Sequence, residues 1–445
     1  MSIENKLSEQ QAVMHSWCVQ DDWNAPEIVG GHGARFWDSN GHSYIDMSSL
    51  AECSNLGHQH PKVIAAIKKQ ADQLCFITSE WGAEPRRALA QKILEVSGFE
   101  GGRVFFTLAG ADANENAVKF ARWASGKSRG QVLARQRSYH GASNATMNYS
   151  GDPRGASYPE LEHVVRVEPP YCYRCPFGYK SNQECRRECV RDVRQAIDNA
   201  GAEAIAAVLM ESHAGTNGIV APADYWPALH QICKEKNIYL IADEVMAGFG
   251  RTGTWFGWQH AGAEHRPDMM TLAKGLTGAH IPLGAVVVSE PVNQRLQSHM
   301  LYTGLTYCGH PLSCAAGVAA LQTYQDDYLI DRSAHLGRDM FRMLDALQET
   351  HDIIGDVRGS GLFAVLELVK DRTTREPIAH WGGSNPVLRT LVKKARDLGV
   401  SFAVRSNLIV LAPPLVITER ELGEAISVLD DLLTEFGPAL QGKQS

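Results

Sequence analysis

Between residues 103 and 288 the chain alternates short apolar runs with stretches of helical periodicity. "GRVFFTLAG" precedes "ADANENAVKFARWA", and "GQVLARQ", "IAAVLMES", "IYLIADEV", "DMMTLAKG" and "LGAVVVSE" follow. Apolar runs of this length separated by helices predict an α/β domain whose mostly parallel sheet is buried on both faces. In such a sheet, ligands bind beyond the carboxyl ends of the strands.

The chain has 445 residues, more than one core normally serves, so at least two domains are expected. After about Gln322 the pattern changes to long helical stretches around two short strands, "GSGLFAVLELV" and "NLIVLAPPLVI", which reads as a smaller α+β domain. Near the start, "ARFWDSNGHSYID" reads as a hairpin turning at Asn40-Gly41, a pair suited to positive φ at both central positions, and this hairpin is expected to join the smaller domain. From Pro61, "PKVIAAIKKQADQL" places Val63, Ile64, Ile67 and Leu74 at helical spacing. The expected division is 1–60 as an N-terminal part of the small domain, 61–325 as the large domain and 326–445 as the remainder of the small one.

A net charge of −7 with 44% hydrophobic and 21% charged residues describes an ordinary soluble protein without the clustered positive charge of a nucleic-acid binder. "MSIENKLSEQQ" lacks the apolar core of a signal peptide, and no run reaches the length of a membrane span. A cytoplasmic location and reduced cysteines are therefore expected. Cys172, Cys175, Cys185 and Cys189 have the pairwise look of a zinc site, but the interval between pairs is short and the loop highly charged; no metal is expected.

"GFGRTG", from Gly248 to Gly253, has the spacing of a dinucleotide fingerprint. That fingerprint opens a helix and has an acidic residue about 20 positions later. Here the next residues are aromatic and broken by Gly262 and Pro267, while the carboxylates Asp243 and Glu244 come before the glycines. A nicotinamide dehydrogenase is the weaker reading.

Asp243 at a strand end, Lys274 after a second strand and the Gly110 turn before a helix fit another cofactor. Pyridoxal phosphate needs a carboxylate to keep its ring nitrogen protonated, a lysine for a Schiff base and a phosphate cradle, for which the amides of a helix N-terminus serve. Taken singly, each residue is weak evidence, because aspartates cap helices and most lysines are solvated.

Together, "AGADANENAVKFAR", "YHG", "IADEVMAGFGRTG", "TLAKGLTGAHIPLGA" and "TYCGHP" resemble the signatures of the class III pyridoxal-phosphate-dependent aminotransferases of fold type I. The resemblance runs from "DSNGHSYID" to "APPLVIT". It implies that Lys274 forms the Schiff base, that Asp243 pairs with the pyridine nitrogen, and that Val245 and Tyr139 pack on opposite ring faces, with His140 beside the cofactor. It implies that Gly110 and Ala111 bind the phosphate and that Thr306 reaches it from a second subunit, hence at least a homodimer. Asn114 and Glu115 match the family pattern as support around the site. Relatives commonly carry a hydroxyl residue where this chain has Ala109 and Ala111, a loss of about 1 kcal/mol per missing hydrogen bond.

For substrates, the resemblance implies that Arg405 grips a carboxylate and that Glu211 holds Arg405 when the other substrate needs the space. Ser212 and His213 replace the usual residues after that glutamate. Trp17, Trp23 and Trp81 are candidate pocket walls. The chain looks most like the ω-aminotransferases, with donors such as taurine or β-alanine and pyruvate or 2-oxoglutarate as acceptor. A racemase or aminomutase on the same scaffold is the alternative.

Overall fold

The computed structural model describes residues 7–160, 163–181 and 184–443; the polar start at 1–6 and the middle of the cysteine loop at 182–183 lie outside them. The apolar runs form a seven-stranded sheet in the order Arg103–Thr107, Gly284–Val288, Met269–Leu272, Tyr239–Asp243, Ile205–Glu211, Gln131–Arg135, Val164–Val167. Gly284–Val288 runs antiparallel to both neighbours and the other pairings are parallel. The edge strand Val164–Val167 was not anticipated from the sequence.

Both faces of this sheet are covered, as continuous apolar strands require. Ala207, Leu209 and Ile241 face one core with Ala113, Ala117 and Phe120 of the helix Gly110–Ser125. Val208, Met210, Leu240 and Ala242 face the other, larger core. The two-residue alternation of strand side chains thus divides each strand between two cores.

A second, antiparallel sheet follows the order Ile354–Ser360, Phe363–Asp371, Leu408–Leu411, Ala403–Arg405, with Glu376–Pro377 paired to Phe363–Asp371. The N-terminal strands Ile28–His32, Arg35–Asp38 and Ser43–Asp46 form a meander whose last strand pairs in parallel with Val400–Ser401. The hairpin's second strand is thus paired with a strand near the C-terminus. The hairpin turn differs from expectation: of the Asn40-Gly41 pair, only Gly41 has positive φ (82°). Asp38 Oδ1 accepts from the amides of Asn40 and His42, which supports a wider loop.

The helix from Pro61 runs to Gln73, and Leu74 falls just beyond it as an exposed extended residue. After Tyr239–Asp243 the glycines open no helix. Phe249, Gly250 and Gly253 take φ of 58°, 85° and 89°. A Cβ on Gly250 would meet side-chain atoms of Ile330 and Leu415 at 2.8 Å, so this loop docks on the C-terminal part of the chain. Arg251 within it is fully buried and bonds the carbonyls of Leu362 and Pro413, Ser49 and Asn55. The dinucleotide turn is thereby ruled out.

The ten cysteines are unpaired. Among the described residues no three His, Cys, Asp or Glu side chains are grouped to hold a metal ion. The loop that begins at Tyr171 is fixed instead by charge: Tyr171 and Arg174 both donate to Glu367. No helix among the described residues is long and apolar enough to cross a membrane.

Candidate active site

A cavity of about 1060 Å³ opens at the carboxyl ends of the central strands. It is lined by Asp243 and Glu211 at strand ends, Lys274 just after Met269–Leu272, Gly110 and Ala111 at a helix start, and Arg405 from the second sheet. Tyr139, His140 and Val245, also expected from the sequence, line it as well. Residues from 110 to 274 converge because parallel strands end on one edge of the sheet, and the second sheet adds Arg405 from the C-terminal part of the chain.

Asp243 is 4% exposed and fully engaged. Its Oδ2 accepts from His140 Nδ1 and Asn114 Nδ2, each at 2.8 Å, and its Oδ1 accepts from the Val245 amide at 3.0 Å. Asn114 is itself anchored, accepting from the Thr271 hydroxyl at 2.7 Å and donating to the His140 carbonyl. His140 Nε2 is buried and has no partner among the described residues.

At the helix start, the Asp112 carboxylate accepts from the amides of Leu108 and Ala109, each at 2.7 Å. The next amides, beginning with those of Gly110 and Ala111, have no intrahelical acceptor and face the cavity as an anion site. Gly110 is required there, since a Cβ would stand 2.9 Å from the Val245 methyls. These groups fit pyridoxal phosphate: a carboxylate for the ring nitrogen, a lysine for the aldehyde and a side-chain-free helix N-terminus for the phosphate.

Lys274 lies in the left-handed region (φ 39°), an uncommon conformation for a side chain and one concentrated at functional sites. Its Nζ contacts Glu52 Oε2 at 2.9 Å. Burial works against the ammonium, but the Glu52 carboxylate outweighs it and holds the pKa above the ordinary lysine value.

Glu52 was missed in the sequence. It is 2% exposed and its Oε1 accepts from Arg405 Nη2 at 2.9 Å, so it bridges the lysine and the arginine. Burial opposes its charge, yet Arg405 and Lys274 lower its pKa to about 2.

The expected contact of Arg405 with Glu211 is not made. Glu211 Oε2 accepts from Arg135 Nη2 at 2.7 Å, both side chains being buried. Arg135 and Glu211 end neighbouring parallel strands, so opposite charges at those two ends were the available signal. Arg405 uses its other arm on the Gly215 carbonyl at 2.6 Å.

Of the aromatic candidates, Trp17 lines the cavity, while Trp23 stacks on His15 and Trp81 is 64% exposed outside it. Arg154, also unanticipated, sits between the rings of Trp17 and Tyr139 at 4.4 and 4.5 Å. Thr306 is exposed and does not line the cavity of its own chain.

Two of the buried glutamates, Glu244 and Glu52, give opposite pH signatures. Burial raises the Glu244 carboxyl to about 7, although it accepts from the amides of Gly257 and Trp258. The folded state therefore binds a proton that the unfolded state has released, and stability falls as pH rises from 4.5 to about 7, by about 3 kcal/mol. Glu52, with its pKa lowered, contributes stability that is present above 4.5 and lost as pH falls toward about 2. Urea midpoints measured from pH 5 to 7.5 are expected to decline in the parent and to flatten in Glu244→Gln; an unchanged slope would remove Glu244 as the cause.

The family model for aminotransferase class-III matches residues 21–433. A leucine/methionine racemase from Thermococcus litoralis is 34% identical over 94% of this chain and 92% of its own. A taurine–pyruvate aminotransferase from Bilophila wadsworthia is 30% identical over 96% of both. The structure of taurine:2-oxoglutarate aminotransferase from Bifidobacterium kashiwanohense, in complex with pyridoxal phosphate and glutamate, superposes with a TM-score of 0.92 at 38% identity, covering 97% of each chain. A fold-type-I architecture, a cavity suited to pyridoxal phosphate and a match over almost its whole length make this chain a member of the class III aminotransferases, enzymes that depend on pyridoxal phosphate.

Proposed function

We propose that this transaminase moves the amino group of an ω-amino acid or related amine, such as taurine or β-alanine, to pyruvate or 2-oxoglutarate in two half-reactions at one site. The observation that carries the reading is the spacing of Lys274 and Arg405. Each is 2.9 Å from a different oxygen of Glu52. The oxygens of one carboxylate are about 2.2 Å apart, which puts Lys274 Nζ and Arg405 Nη2 within roughly 8 Å of each other. A gap within that limit admits an amine and an acid group separated by two carbons.

Pyridoxal phosphate, when bound, supplies an aldehyde for the donor nitrogen and a ring that spreads the charge left as the donor carbon loses its proton. Lys274 Nζ takes that proton and later returns it, acting as a base already held in place. Asp243, oriented by Asn114 and His140, holds a proton on the ring nitrogen. Gly110 and Ala111 donate their amides to the phosphate, and Val245 and Tyr139 confine the ring. Arg405 draws in the acid group by a charge-assisted fork. Glu211, neutralised by Arg135, keeps the floor of the site without an unpaired charge.

We further read the chain as a cytoplasmic homodimer, divided at residues 60 and 325 into the domains expected from the sequence. The exposed Met300, Tyr302 and Tyr307 flank Thr306, and this apolar surface suits a second subunit. A racemase is the second reading, favoured by the Thermococcus relative. Both are tested by incubating the pyridoxal form with single amines. Taurine or β-alanine is expected to convert the visible band to that of the pyridoxamine form. Interconversion of leucine enantiomers without that change would favour the racemase.

A further inference from the structure

Ser49, Leu50, Ala51 and Glu52 form a left-handed turn of four consecutive non-glycine residues, with φ of 47°, 45°, 69° and 60°. Each such residue costs about 1–2 kcal/mol, so the turn persists only because its surroundings impose it. The amides of Glu52 and Cys53 donate to the carbonyls of Ser48 and Ser49 at 2.8 and 2.9 Å. Asp46 Oδ1 accepts from the Ser48 amide and hydroxyl, and the buried Ser49 hydroxyl donates to the Ala412 carbonyl at 2.6 Å while accepting from Arg251. The product of this scaffold is a carboxylate directed into the cavity and laid between Lys274 and Arg405.

We infer that Glu52 is a specificity residue that stands in for the acidic group of the substrate, neutralising Arg405 while no anion is bound and giving it up when one arrives. The alternative partner, Glu211, is already committed to Arg135. A substrate carboxylate or sulfonate on Arg405 would otherwise lie beside a buried carboxylate, an arrangement that like charges resist, so Glu52 must move away. A donor amine with no acid group makes no such demand and leaves the Glu52–Arg405 pair closed. Glu52 thus taxes acidic substrates and spares Arg405 from isolation when one without an acid group is bound.

This deepens the aminotransferase reading and rests on it for the substrates, but its principal test does not. Propionate has neither an amine nor a ketone and cannot react, so its affinity for the cofactor-loaded full-length protein can be measured by calorimetry. Glu52→Gln is expected to bind propionate at least 10-fold more tightly than the parent, a gain that simple loosening of the fold would not produce. Its KM for pyruvate is expected to fall about 10-fold, while KM for 1-phenylethylamine, a donor with no acid group, stays the same or rises. If Glu52→Gln does not fold, Glu52→Asp, one methylene shorter and unable to bridge both cations, is expected to tighten propionate several-fold. Unchanged propionate affinity in a folded variant would overturn the inference. Tighter propionate binding with no transamination of any 2-oxo acid would overturn the aminotransferase reading and leave the role of Glu52 in place.

Discussion

Replacing Lys274 with alanine is expected to slow transamination on the order of 10⁴-fold, because one substitution removes both the amine that anchors the cofactor and the base that moves the proton. The fold should survive. Alanine meets the same left-handed backbone that lysine already occupies, and Glu52 keeps Arg405 as a partner after its second cation is lost. The comparison is of single-turnover rates with a circular-dichroism melt as the control; a well-folded variant within 10-fold of the parent would contradict the role given to Lys274.

Asp243→Asn is expected to lower the rate roughly 10²–10³-fold through the loss of a single charge. The amide matches the carboxylate in shape but can accept at only one atom, whereas Asp243 accepts from His140, Asn114 and Val245. One of these buried donors must then face another donor, at a cost of about 1–3 kcal/mol. The variant should therefore be slower and also less stable. A parent-like rate would mean that the charge at 243 is not used.

These two residues were legible because each ends an apolar run, and the ends of parallel strands are where such a fold gathers its chemistry. The cradle at Gly110 was legible for a similar reason, as a short turn between a strand and a helix. Glu52 was not, since "SSLAEC" contains no glycine to announce a left-handed turn, and its partners lie 222 and 353 residues away. The pairing of Arg405 was misassigned because resemblance identifies residue types but not which of two buried carboxylates each arginine reaches. Trp81, proposed as a pocket wall, lies on the surface of the single chain and outside that chain's own cavity. The edge strand Val164–Val167 escaped notice because four residues carry too little periodicity to stand apart from a loop.

The most direct measurement is borohydride reduction of the yellow holoenzyme followed by peptide mapping. The account predicts a single reduced cofactor adduct, on the peptide that contains Lys274 and on its side chain. An adduct on another lysine, or none with the yellow colour retained, would contradict it.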